Sequence, residues 1–136
     1  MKNILVDTCI WSLALRGKST KNQPITDELT ALVYADRAKI AGPIRQEVLS
    51  GYSNLNQYNK LKDKLDYFPD EAVIDIDYIC AAEFYNQCRQ KGIQGSHIDF
   101  LICALAYRLK MDIFTVDKDF IYYAKHIPVV LYPLPS

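Results

Sequence analysis

Two short apolar runs in this chain end in a carboxylate. Ile4, Leu5 and Val6 lead into Asp7, while Ile113, Phe114 and Val116 lead into Asp117, with Asp119 two residues on. Such runs suit strands of a parallel sheet that is buried on both faces. If both strands lie parallel in one sheet, Asp7 and Asp117 emerge at the same edge. That edge is where open α/β folds bind ligands. Thr115 adds a hydroxyl there to position a carboxylate or a water. A helix N-cap would explain either acid alone, because Asp accepts free backbone N–H bonds at that position. Asp119 fits such a cap for a short helix beginning at Phe120. Two acids on neighbouring strand tips begin to look like a site.

Two further acids belong to the pattern. Asp99 lies in GSHIDFLICALAYRL, three residues after Ser96, which makes an acidic form of the capping box. The helix dipole also favours an acid there. Eight uncharged residues follow Asp99, however, so it stands at the mouth of a buried helix, partly desolvated and in want of a cation. Glu47, in AGPIRQEVLSG, lies about one turn into a helix that Pro43 starts. Four carboxylates at close range cannot all ionise without cations between them. Oxygen ligands without Cys or His suit Mg²⁺ or Mn²⁺ rather than zinc. Ions held this way serve phosphoryl transfer: they polarise the phosphate, activate a water and steady the leaving oxygen.

The elements that must hold these acids are legible in the hydrophobic pattern. Strand signals fall at 3–6, 39–41, 112–116 and 128–131. Helical patterns cover 7–15, 26–37 with Thr26 as cap, 43 to the stop at Gly51, 54–68, 77–91, 96–110 and 120–125. The strongest helix carries Ile98, Leu101, Ile102, Leu105 and Leu109 along one stripe. Strands alternating with helices predict an α/β fold, a parallel sheet with helices on both faces. There are no repeats and no linker, so residues 1–136 read as a single domain.

Composition narrows the setting. Half the residues are hydrophobic, and 16 basic side chains balance 16 acidic ones. The zero sum does not exclude a polyanionic substrate, because each divalent ion in an acidic site offsets two carboxylates and leaves the remaining surface net basic. No apolar run approaches a membrane span. A strand beginning by Asn3 leaves no room for a signal peptide, so the chain is expected in the cytoplasm. Cys9, Cys80, Cys88 and Cys103 show no ligand spacing and read as small hydrophobes.

The motifs VDTCIW, PIRQEV, HIDFLICALA and TVDKDF, in that order and with these spacings, resemble the PIN-domain family. The likeness is greatest to the VapC-type toxins of bacterial and archaeal toxin–antitoxin pairs. The resemblance runs from Ile4 to Phe120. It implies a three-layer α/β/α sandwich with a central parallel sheet, and Mg²⁺- or Mn²⁺-dependent endoribonuclease activity that leaves a 5′-phosphate and a 3′-hydroxyl. It places Asp7, Glu47, Asp99 and Asp117 in the catalytic set, with Asp7, Asp99, Asp117 and Asp119 as metal ligands. Its implied partners are an RNA substrate, a small cognate antitoxin and a second copy of the chain as a homodimer, with no membrane.

Arg16, Lys18, Arg45 and Lys118 are candidates for gripping RNA, being adjacent in sequence to site elements. Tyr52, Tyr58, Tyr122 and Tyr123 are candidates for base stacking, although packing is the commoner role. The helices at 26–37 and 54–68 carry enough apolar surface to suggest an antitoxin groove. His97, two positions before Asp99 on the same helix, points away from it and is not needed as a base.

Two other classes remain open. A haloacid-dehalogenase-like phosphatase would want an acid where Cys9 stands, and a receiver domain would want an early acid pair that is missing. A non-catalytic interaction module would have little use for the carboxylates.

Overall fold

The computed structural model describes residues 1–16 and 20–135. Four strands, β1 (Ile4–Val6), β2 (Ala38–Ala41), β3 (Asp70–Glu71) and β4 (Asp112–Phe114), form one parallel sheet in the order β3-β2-β1-β4. The helices are α1 (Thr8–Leu15), α2 (Gln23–Tyr34), α3 (Gly42–Ser50), α4 (Leu55–Leu65), α5 (Asp75–Gln90), α6 (His97–Leu109) and α7 (Asp119–Ala124). The result is the expected three-layer α/β/α sandwich. Ile4, Leu5, Val6, Ile40, Ile113 and Phe114 are all buried, as a sheet covered on both faces requires.

The strand order matters for the site. From β1 the chain steps outward to β2 and β3 on one side, then returns to place β4 on the other. The reversal lies between β1 and β4, and a crevice opens at the carboxyl ends of the strands at such a switch point. The β1–β4 register pairs Ile4 with Asp112, Leu5 with Ile113 and Val6 with Phe114. Continued by one residue, it sets Asp7 beside Thr115, and the Asp7 N–H donates to the Phe114 carbonyl at 2.9 Å.

Helix α6 is buried nearly all round. Phe100 through Ala106 form an unbroken buried run, so it is a core helix rather than a one-sided one. It packs against α5, and a half-buried ion pair joins them: the Arg108 Nε donates to the buried Asp77 Oδ1 at 2.7 Å. At the other side of the sheet's centre, the Trp11 indole donates to the Val6 carbonyl at 3.0 Å. That bond fixes α1 to the end of β1.

Three elements differ from the sequence reading. Residues 128–131 contribute a single bridge, Ile113 to Leu131, rather than a strand. Pro128 has no N–H to offer a ladder, and Pro133 ends the segment. Strand β3 was not anticipated, because two polar residues carry no periodic signal. Helix α2 begins three residues before Thr26, with Asn22 at the cap position and Pro24 in the first turn, a position that suits proline.

Candidate active site

The switch-point crevice is a cleft of about 380 Å³ lined by Asp7, Thr8, Cys9, Ser12, Leu13, Arg16, Glu47, Asp99, Val116 and Asp117. Four elements supply its acids. Asp7 comes from the tip of β1 and Asp117 from the segment after β4. Glu47 comes from α3 and Asp99 from the first turn of α6. A sheet this narrow brings them together because α3 and α6 both start at the same edge at which β1 and β4 end.

Asp7 is the deepest of them, 6% exposed. It does cap α1: the Thr8 N–H donates to Oδ1 at 2.8 Å. Its second oxygen accepts the Thr115 hydroxyl at 2.8 Å and the Cys9 thiol at 3.6 Å. Cap and site are therefore compatible, since a carboxylate has lone pairs for both. Burial pushes the Asp7 carboxyl above its ordinary range. Its donors oppose this, and the nearby Asp99 charge adds to it. Burial and Asp7 also push up the Cys9 thiol, which keeps it protonated and in place as a donor.

Asp99 sits over the capped end of α6, where the Ser96 hydroxyl accepts its N–H at 3.0 Å. Only half of a capping box forms, because the carboxylate turns away and accepts the Tyr123 hydroxyl at 2.8 Å instead. Burial raises the Asp99 carboxyl, the Tyr123 and Ser96 hydroxyls lower it, and the charges of Asp117 and Asp119 raise it again. Asp119 does not cap α7. Lys118 holds the cap position, and the Asp119 N–H donates to Asp117 Oδ1 at 2.9 Å. The turn is thus tied by Asp117, which leaves the Asp119 side chain free of that task.

Carboxylate oxygens of Asp99, Asp117 and Asp119 lie within 4.8 Å of one another. Among the described residues, no Lys or Arg forms an ion pair with them or with Asp7 or Glu47. Convergent, unpaired carboxylate oxygens fit a hard divalent cation such as Mg²⁺ or Mn²⁺. The set contains no imidazole, and its one thiol is held protonated, which does not suit a softer metal.

The basic candidates separate. Arg16 lines the cleft. Lys118 is exposed between the two acids of the turn, and Lys18 lies outside the described residues. Arg45 is engaged elsewhere: it donates to Asp70 at 3.0 Å, to the Leu65 carbonyl at 2.8 Å and to the Phe68 carbonyl. It ties α3 to the end of α4 and does not line the cleft. Tyr123 is fully buried and cannot stack on a base, whereas Tyr122 is exposed. Sequence reasoning gave Tyr123 no part in the acid cluster. The available clue was its spacing, one helical turn after Asp119.

A family model for the PIN domain matches residues 4–126. The chain is similar in structure to FitAcB from Neisseria gonorrhoeae (TM-score 0.78, 20% identity, 96% of each chain covered). It is likewise similar to VapBC2 from Rickettsia felis, bound there to a DNA fragment from its promoter (TM-score 0.74, 18% identity, 95% of this chain and 96% of that one). A toxin–antitoxin complex from Klebsiella pneumoniae aligns with TM-score 0.69 and 21% identity, over 98% of this chain and 100% of that one. No curated protein sequence matches.

Proposed function

This chain belongs to the PIN-domain family, and from that premise we propose that it is a divalent-metal-dependent endoribonuclease, the toxin of a toxin–antitoxin pair. One observation carries the reading. Three carboxylates converge within 4.8 Å beside the buried Asp7, at the switch point of a parallel sheet, with no basic partner among the described residues. A purely structural cluster would be expected to pair such charges with basic side chains.

Asp7, Asp99, Asp117 and Asp119 would hold the cation. When bound, it would supply polarisation of the scissile phosphate and activation of a water. The protein's own share is orientation. Thr8, Cys9 and Thr115 fix Asp7, Tyr123 fixes Asp99, and the Asp119 N–H fixes Asp117. Glu47, across the cleft on α3, would orient the attacking water and accept its proton. The water oxygen bonds to phosphorus, the P–O3′ bond breaks, and the leaving oxygen takes a proton. Arg16 and Lys118 would hold flanking phosphates as point contacts.

The partners follow the same reading. An antitoxin helix would lie over the α2 and α4 side, where Tyr34 and Leu55 are largely exposed. A second copy would cover the apolar cleft formed by Tyr78, Ala81, Ala82, His97, Ile98 and Leu101 on α5 and α6. Among the described residues no helix is long and apolar enough to cross a membrane.

The deciding experiment is incubation of purified protein with single-stranded RNA in Mn²⁺ or Mg²⁺ and in EDTA. Cleavage with 5′-phosphate ends in metal alone is expected. Equal cutting in EDTA, or none in either metal, defeats the reading.

A further inference from the structure

We infer that Tyr123 is a positioning residue for Asp99, and that Gly95 is the notch through which it reaches. The inference rests on the metal-centre reading above.

Tyr123 is 0% exposed, and its hydroxyl donates to Asp99 Oδ2 at 2.8 Å. The ring is confined on two sides. Phe100 lies 4.7 Å away between centroids and Phe120 5.2 Å away, each at a steep angle. A ring wedged this way cannot swing, so its hydroxyl fixes one oxygen of Asp99 and with it the orientation of the whole carboxylate.

Gly95 shows that this contact is built in. Its backbone is not in the left-handed region, so conformation does not demand glycine there. Space does. A Cβ at this position would lie 2.7 Å from Cζ of Tyr123 and 2.8 Å from Cε2 of Phe100, and would also meet the Tyr123 hydroxyl. Contacts this short force the ring to shift. Any larger residue would therefore move the hydroxyl off Asp99.

The arrangement makes α7 a clamp on the cluster. One turn of that helix separates Asp119, an acid of the cluster, from Tyr123, which holds the acid contributed by α6. If the ring served packing alone, phenylalanine would serve equally well. Partners that orient ligating groups typically contribute 10–100-fold to metal affinity.

The test is Mn²⁺ binding by calorimetry on the full chain without RNA, beside the melting temperature of each variant in EDTA. Tyr123→Phe should weaken the Mn²⁺ Kd by about tenfold or more. Gly95→Ala should weaken it in the same direction. Adding Tyr123→Phe to Asp99→Asn should cost no further affinity, because the hydroxyl acts through Asp99. Leu32→Ala, a truncation of the buried core on α2 outside the Tyr123 packing and the cleft, should lower the melting temperature and leave the Kd unchanged. An unchanged Kd in Tyr123→Phe, or an equal loss in Leu32→Ala, overturns the positioning role while leaving the metal centre intact. Failure of wild type to bind Mn²⁺ overturns the metal centre and the positioning role together.

Discussion

The Thr115 hydroxyl donates to Asp7 Oδ2 at 2.8 Å, across two neighbouring parallel strands. The Thr115 hydroxyl oxygen in turn accepts the Asp117 N–H at 3.0 Å, so one hydroxyl sets both strand-tip acids. Thr115 is 7% exposed, and water cannot readily replace it. Thr115→Val keeps the shape but deletes the donor. It should lower stability in EDTA at neutral pH by about 1.5–3 kcal/mol, the range for a hydrogen bond to a charged group, and should weaken Mn²⁺ binding. Thr115→Ser should restore both. Chemical denaturation and calorimetry on the three proteins check this, and valine indistinguishable from threonine would refute it.

Asp7→Asn separates the cap from the chemistry. Asparagine caps a helix about as well as aspartate, so the fold should survive with an unchanged circular dichroism spectrum. Cleavage of RNA should fall by at least about 100-fold, or roughly 2.7 kcal/mol of transition-state stabilisation. Near-wild-type cutting on an RNA gel would remove Asp7 from the mechanism.

Asp117→Asn should give a crossed pattern of melting temperatures. Its side-chain carbonyl can still accept the Asp119 N–H, so the turn is kept while one charge of the cluster is lost. Without metal the variant should melt at or above wild type, since neutralising an acid in such a cluster relieves repulsion. With Mn²⁺ at a hundredfold excess over its Kd, wild type should gain about 2.7 kcal/mol and the variant little. A variant that melts lower in EDTA, with neither protein responding to Mn²⁺, would mean that these acids are structural.

The metal-free protein should also show an unusual pH dependence. Burial raises the folded-state carboxyls of Asp7 and Asp99 above the ordinary 3.8. A raised acid binds its proton more tightly when folded. Its contribution is fully present below the unfolded value and is lost as pH climbs through the folded one. Asp77 behaves oppositely: burial works against its charge, but the Arg108 hydrogen bond and the Ile74 N–H hold its carboxyl low. Its contribution is lost in acid. The informative quantity is therefore a difference. Stability of wild type minus that of Asp7→Asn, in EDTA, should fall as pH rises from below 3.8 toward neutrality. A flat or rising difference would show that Asp7 is not desolvated as the structure has it.

The origin of those raised acids corrects a natural expectation. Four acids drawn together from the sequence suggest mutual repulsion as the chief cause. For both Asp7 and Asp99 burial comes first, and the neighbouring charges follow. Repulsion depends on distances that a sequence does not contain. Burial of Asp7 comes from α1 and β4 closing over the tip of β1.

What the sequence determined by itself was everything governed by local pattern. The apolar runs at Ile4–Val6 and Ile113–Phe114 dictate strands buried on both faces, and the uncharged stretch after Asp99 dictates a core helix. Alternation of strands with helices dictates a parallel sheet whose carboxyl edge collects Asp7 and Asp117. Tertiary structure alone decided the partners. Arg45, read as free basic charge, is drawn to Asp70 and to the Leu65 and Phe68 carbonyls at and just beyond the end of α4, because carbonyls there keep lone pairs free for a guanidinium. Tyr123, one of ten tyrosines, reaches Asp99 only because α7 folds back over α6 and Gly95 leaves room for the ring. Period and propensity act over a few residues, whereas a hydrogen bond spanning 24 residues exists only once the layers have packed.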